Sequence, residues 1–82
     1  MPATVRAAAR GIAARAAATA RRAKRSPTLA DIRREARLPV GVPVRVTVSA
    51  VRNGVRVRAI NPFTGAKSTV DVTLVKKRIV LS

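Results

Sequence analysis

The chain has 82 residues, enough for one small domain. It carries 18 Lys and Arg against 3 Asp and Glu, a net charge of +15, and it contains neither His nor Cys. This inventory excludes zinc fingers, disulfide scaffolds and Cys–His nucleophiles, and it leaves too few carboxylates for acid–base catalysis or a metal cage. We therefore expect a protein that is not an enzyme and that needs no cofactor or metal.

The charge points to a polyanionic partner, because so many like charges repel one another in a compact chain and attract DNA, RNA or anionic membranes. Apolar residues make up 48% of the chain, too many for a purely disordered basic protein. No apolar run approaches the length of a transmembrane helix.

Residues 1–25 consist almost entirely of Ala and Arg, and they predict a basic helical arm. On a helical wheel the cations share one half and the small residues around Ile12 share the other. Because no carboxylate offsets the cations, we expect the arm to be ordered only when bound. The nucleic-acid contacts that we predict in this arm are Arg6, Arg10, Arg15, Arg21, Arg22, Lys24 and Arg25.

Residues 26–39 predict a short second helix and a linker. Thr28 and Asp31 have the spacing of a capping box, with Asp replacing the usual Glu or Gln. Leu29, Ile32 and Ala36 then recur on one face, and Pro39 ends the helix.

Residues 40–82 predict a small antiparallel sheet of three or four strands. The Asn-Gly pair at 53–54 indicates a hairpin closed by Arg52 and Val55. In this register Ala50 faces Val57 and Val48 faces Ala59, so that one face of the hairpin is apolar. The opposite face carries basic and hydroxyl side chains.

The rest of this segment continues the alternation. Residues 68–74 predict a third strand and residues 79–81 a short fourth strand, joined by the basic turn Lys76-Lys77-Arg78. Between the second and third strands, residues 61–65 form a loop whose Phe63 is most simply packed on the sheet, with docking on a partner protein as the alternative. A second set of predicted nucleic-acid contacts comprises Arg45, Arg56, Arg58, Lys76, Lys77 and Arg78; their alternative role is to keep sheet edges soluble.

The fold class is therefore α+β: a basic helix, a short helix and a β meander. The narrow stripe on the second helix is the one cover that the sequence suggests for the apolar face of the sheet. We therefore expect another protein or self-association to complete the core. The residues predicted to dock on protein are Val44, Val46, Val48, Val57 and Phe63.

The function favoured by these features is that of a small structural protein in a nucleoprotein assembly, either within a virion or in an intracellular particle. Its arm contacts phosphates without sequence specificity, and a virus or phage particle is favoured over a ribosome. One alternative is a free compactor of nucleic acid that resembles a nucleoid or chromatin protein. Another is a membrane-surface or mitochondrial protein that uses residues 1–25 as an amphipathic helix, which the scarcity of bulky apolar residues on that helix disfavours.

Overall fold

The computed structural model describes residues 4–36 and 44–82. Two helices precede a four-stranded sheet, in the order α1 (Val5–Ala23), α2 (Leu29–Ala36), β1 (Arg45–Val51), β2 (Gly54–Ile60), β3 (Lys67–Val75) and β4 (Arg78–Leu81). The strands are antiparallel and lie side by side in chain order. This arrangement confirms the predicted α+β class. The predicted helix stop at Pro39 and the boundary between residues 39 and 40 fall outside the described residues.

Helix α1 has a defined cap at each end. At its start the Thr4 hydroxyl accepts a hydrogen bond from the Ala7 backbone N–H at 3.0 Å. At its end Lys24 adopts the left-handed conformation, with φ 55°. The N–H groups of Lys24 and Arg25 then donate back to the carbonyls of Arg21 and Ala20, which is the Schellman pattern.

The small-residue face of α1 covers the sheet. Ile12, Ala13 and Ala16 are fully buried and belong to the same core cluster as Val57 and Val72. Alanine side chains let the helix axis approach the strands closely, so a face with little apolar bulk still closes the core. The expectation that this helix is ordered only when bound is wrong for this structure, because α1 packs on β2, β3 and β4 of its own chain.

Helix α2 begins with the predicted reciprocal cap. The Thr28 backbone N–H donates to Asp31 Oδ2 at 2.9 Å, and the Asp31 N–H donates to Thr28 Oγ1 at 3.3 Å. Ile32 is fully buried, with Leu29 and Ala36 packed partly against the core. The helix contacts α1, β1 and β2, so it supplements the cover provided by α1. The prediction that its stripe was the sole internal cover is wrong.

The first hairpin differs from the predicted register by two residues. The turn residues are Arg52 and Asn53, and Ala50 pairs with Val55 instead of Val57. A shift of two keeps every side chain on its predicted face, because the side-chain period of a strand is two. In the observed register Gly54 lies inside the ladder, where a Cβ would come within 2.0 Å of the Val72 carbonyl oxygen. The sequence therefore needs glycine inside the ladder beside β3 and not in the turn.

Strands β3 and β4 are each slightly longer than predicted. The turn between them consists of Lys76 and Lys77, with φ values of 50° and 66°, and Arg78 already belongs to β4. Two positive φ values in a two-residue turn are the requirement of a type I′ hairpin, which usually carries Asn-Gly. The end of the chain continues the pairing, because Ser82 exchanges two backbone hydrogen bonds with Asp71.

Candidate nucleic-acid interface

Each of the three carboxylates of the chain is paired with an arginine. Arg15 Nε donates to Glu35 at 2.9 Å. The guanidinium of Arg25 binds Asp31 through two hydrogen bonds of 2.7 and 2.9 Å. The guanidinium of Arg56 binds Asp71 in the same bidentate way at 2.8 and 3.1 Å. The remaining cations therefore have no carboxylate of the chain left to neutralise them.

The pair formed by Asp31 is the most enclosed. The Arg25 hydrogen bonds, supported by the Thr28 backbone N–H and opposed by burial, lower the pKa of the Asp31 carboxyl to about 2. This carboxylate fixes the chain reversal between α1 and α2, since it binds a residue just after α1 and caps α2. Arg25 therefore has a structural partner in addition to the contact role predicted for it.

The predicted basic contacts of α1 lie on its outer face. Arg6, Arg10 and Arg22 are exposed. Arg15 shares its charge with Glu35, although 46% of its side chain remains exposed. Arg21 donates to the Ile79 backbone carbonyl at 2.9 Å and so ties the end of the helix to β4.

The three predicted contacts on β1 and β2 lie on the face of the sheet that α1 does not cover. Arg58 is exposed in a cross-strand row between Thr47 and Thr69. Arg45 is exposed near one end of the sheet, and Arg56 is held by Asp71. The sheet thus separates these three arginines from the cations of α1, so they form two surfaces and not one.

The structure brings the end of α1 together with the β3–β4 turn. A cleft of about 660 Å³ opens between them. It is lined by Ala20, Arg21, Lys24, Arg25, Leu74, Lys77, Arg78 and Ile79. We name it the basic cleft. It unites cations that are more than fifty residues apart in the chain. No pattern in the sequence signals this pairing or the apolar floor of Ala20, Leu74 and Ile79.

The residues predicted to dock on protein differ in their exposure to solvent. Val57 is fully buried beneath the helices, so its assignment to a docking surface is wrong. Val44, Val46 and Val48 are half-buried, and the latter two pack against the core. Phe63 is 82% exposed, so the simpler prediction that it packs on the sheet is wrong.

The loop that presents Phe63 is ordered by Asn61. The side-chain oxygen of Asn61 accepts hydrogen bonds from the N–H groups of Phe63 and Thr64. Its backbone bonds with Ala66 and Gly65 close the base of the loop. The loop therefore holds an aromatic ring in solvent on a fixed frame.

Within residues 4–36 and 44–82, no three His, Cys, Asp or Glu side chains cluster in a way that could hold a metal ion. No helix in that part of the chain is long and apolar enough to cross a membrane. Comparison of the chain with known protein families, characterised proteins and solved structures finds no match to any of them.

Proposed function

We propose that this protein is a non-enzymatic nucleic-acid-binding protein that contacts phosphates without sequence specificity, as a structural part of a nucleoprotein assembly. One observation carries the proposal: all three carboxylates are paired internally, while 18 basic residues are present. A surface with so large an uncompensated charge attracts polyanions, and nucleic-acid phosphates are a dense source of negative charge. A virus or phage particle remains our favoured setting, ahead of a ribosome.

The mode of contact follows from the exposed side chains. Arginine binds phosphate bidentately, and α1 presents several arginines along one face. Aromatic stacking on unpaired bases needs an aromatic platform, whereas the whole chain has Phe63 as its one aromatic residue. Backbone contacts without base readout are therefore the chemistry that the surface supplies.

The packing of α1 argues against the membrane alternative. A helix that lies on a bilayer inserts an exposed apolar face between the lipid headgroups. In α1 that face, which includes Ile12 and Ala16, is fully buried against the sheet. Membrane insertion of α1 would have to break the core of the domain.

The same packing favours a second candidate, the free nucleic-acid compactor. Both helices cover the apolar face of the sheet, so the chain closes its own core. A compactor acts as an independent domain, whereas a part that folds only inside its assembly needs its partner to cover the sheet. Docking on protein through Phe63 and the half-buried β1 valines belongs to the assembly proposal.

The test begins with ultraviolet absorbance. The chain has no Trp or Tyr, so absorbance of a native, low-salt preparation near 260–280 nm reports bound nucleic acid. Loss of that signal after DNase alone supports a genome-associated protein, and loss after RNase alone supports a ribosomal or other RNA particle. Clean protein without absorbance, and without binding to added DNA or RNA, would overturn the proposal.

A salt titration then separates the two settings. With about seven phosphate contacts, the slope of log K against log salt for duplex DNA is near −6. An independent compactor shows this steep dependence as a purified, folded chain. A component of an assembly binds weakly until its protein partner is added.

A further inference from the structure

The basic cleft combines two kinds of surface. Its rim carries the cations Arg21, Lys24, Arg25, Lys77 and Arg78. Its floor is apolar, formed by Ala20, Leu74 and Ile79. Its volume of about 660 Å³ falls in the size range of small-ligand sites, roughly 300–1,000 Å³.

The cations of the rim are of two types. The guanidinium groups of Arg21 and Arg25 are held in place by the Ile79 carbonyl and by Asp31. Lys24, Lys77 and Arg78 make no side-chain hydrogen bond or ion pair with any described residue. The cleft thus has a fixed pair of arginines and three cations available to an anion.

The backbone gives an independent sign of function at the same place. Lys24, Lys76 and Lys77 all have positive φ, at 55°, 50° and 66°. Glycine or asparagine is the usual residue both at the end of a Schellman-capped helix and in a type I′ turn. Strained conformations of this kind persist only where the surrounding structure holds them, and they cluster at functional sites.

We propose that the basic cleft is the principal phosphate-binding site of the protein and that it holds a short stretch of the sugar–phosphate backbone of a nucleic acid. The phosphates bind the cationic rim, and the sugars cover the apolar floor. This inference rests on the proposed function and assigns the phosphate contacts to one place on the surface. The outer face of the sheet, with Arg45 and Arg58, then makes only secondary contacts.

The decisive variant is Lys76→Asn with Lys77→Gly. It removes the charge of Lys77, which lines the cleft, and that of Lys76 beside it in the turn. It also installs the dipeptide that a type I′ turn prefers, so the variant folds at least as well as the parent. Its control is Arg33→Gln with Arg34→Gln, which removes the same charge from two exposed positions of α2 that do not line the cleft. Circular dichroism verifies that both variants are folded.

The measurement is fluorescence anisotropy of a labelled 20-base-pair DNA at several salt concentrations. The loss of one phosphate contact at Lys77 makes the salt slope shallower by about 0.9 and weakens binding at 0.1 M salt by about eightfold; a second contact at Lys76 would raise these values to about 1.8 and about sixtyfold. The control loses only long-range attraction, which 0.1 M salt screens beyond about 10 Å. Its salt slope is therefore expected to change much less.

The outcomes separate the two proposals. If the parent protein binds DNA and the two variants weaken equally, the cleft assignment is overturned while the proposed function stands. If the parent binds neither DNA nor RNA, the proposed function fails and the cleft assignment fails with it.

A second measurement locates the contact directly. The ¹⁵N-labelled full chain is titrated with the same DNA and followed through its backbone amide signals. The largest shifts are expected at Lys24, Lys77 and Ile79. Shifts confined to the outer face of the sheet would overturn the assignment even if the two variants differ.

Discussion

Replacing Ile12 by alanine tests whether α1 closes the core or is a detached arm. Ile12 is fully buried and is among the largest side chains that the core encloses. The change removes three carbon groups, a loss of about 2.4 kcal/mol in transfer free energy at about 0.8 kcal/mol each. The remaining cavity adds to this cost, within the range of roughly 2–5 kcal/mol seen for such substitutions, and the better helix propensity of alanine offsets a few tenths.

We therefore expect the free energy of unfolding to fall by about 3 kcal/mol, out of a total of roughly 4–12 kcal/mol for a domain of this size. The corresponding fall in Tm is about 12–24 °C. Because the chain lacks Trp and Tyr, unfolding is followed by far-ultraviolet circular dichroism for the helices and by the backbone amide signals of the strands for the sheet. Arg10→Ala, two residues away on the exposed face, is the control and should change stability by no more than about 0.5 kcal/mol.

A detached arm gives a different result. Ile12→Ala would then leave the sheet transition unchanged and would slightly increase helicity, because alanine is the better helix former. Equal transition temperatures for Ile12→Ala and Arg10→Ala would refute the packing of α1 on the sheet.

Three further changes test the close approach at Gly54, the buried acid Asp31 and the β3–β4 turn. Gly54→Ala places a methyl group 2.0 Å from the Val72 carbonyl oxygen. Because the backbone cannot move aside as a side chain can, we expect the free energy of unfolding, measured by urea titration, to fall by at least about 2 kcal/mol. An unchanged urea midpoint would disprove the close approach of β3. Because the pKa of Asp31 is lowered to about 2 in the folded chain, its stabilising effect is fully present above its unfolded pKa near 4 and is lost as the pH falls towards 2. Urea midpoints measured from pH 5 to pH 2 should therefore fall, and they should fall less steeply in Asp31→Asn. An equally steep fall in that variant would show that other groups cause the pH dependence. Lys76→Asn with Lys77→Gly relieves two left-handed residues and should raise the unfolding free energy by about 1 kcal/mol or more; a lower Tm would show that the lysines stabilise the turn.

Local sequence patterns determined much of the fold. Alternation in residues 44–60 assigned each side chain to its correct face even though the register was off by two, because faces depend on odd and even positions alone. The capping pair of Thr28 and Asp31 placed the start of α2, since this interaction spans only three residues. The charge inventory by itself leads to the proposal of a polyanionic partner.

Tertiary structure decided what depends on distant residues. An alanine face such as that around Ala13 carries no local signal of its partner. Whether it fits depends on the shape of strands β2 to β4, which begin forty or more residues later. Likewise, glycine at position 54 could mark a turn or a close approach, and only the position of β3 selects between them.

The basic cleft also depends on residues that are distant in the sequence. Lys24 and Lys77 are both ordinary basic residues in the sequence, and they line one cleft because α1 packs on the sheet with its end beside the β3–β4 turn. Charge is a property of composition, so the sequence alone predicts a basic protein. Convergence of charge is a property of packing, so only the folded chain shows where the cations gather.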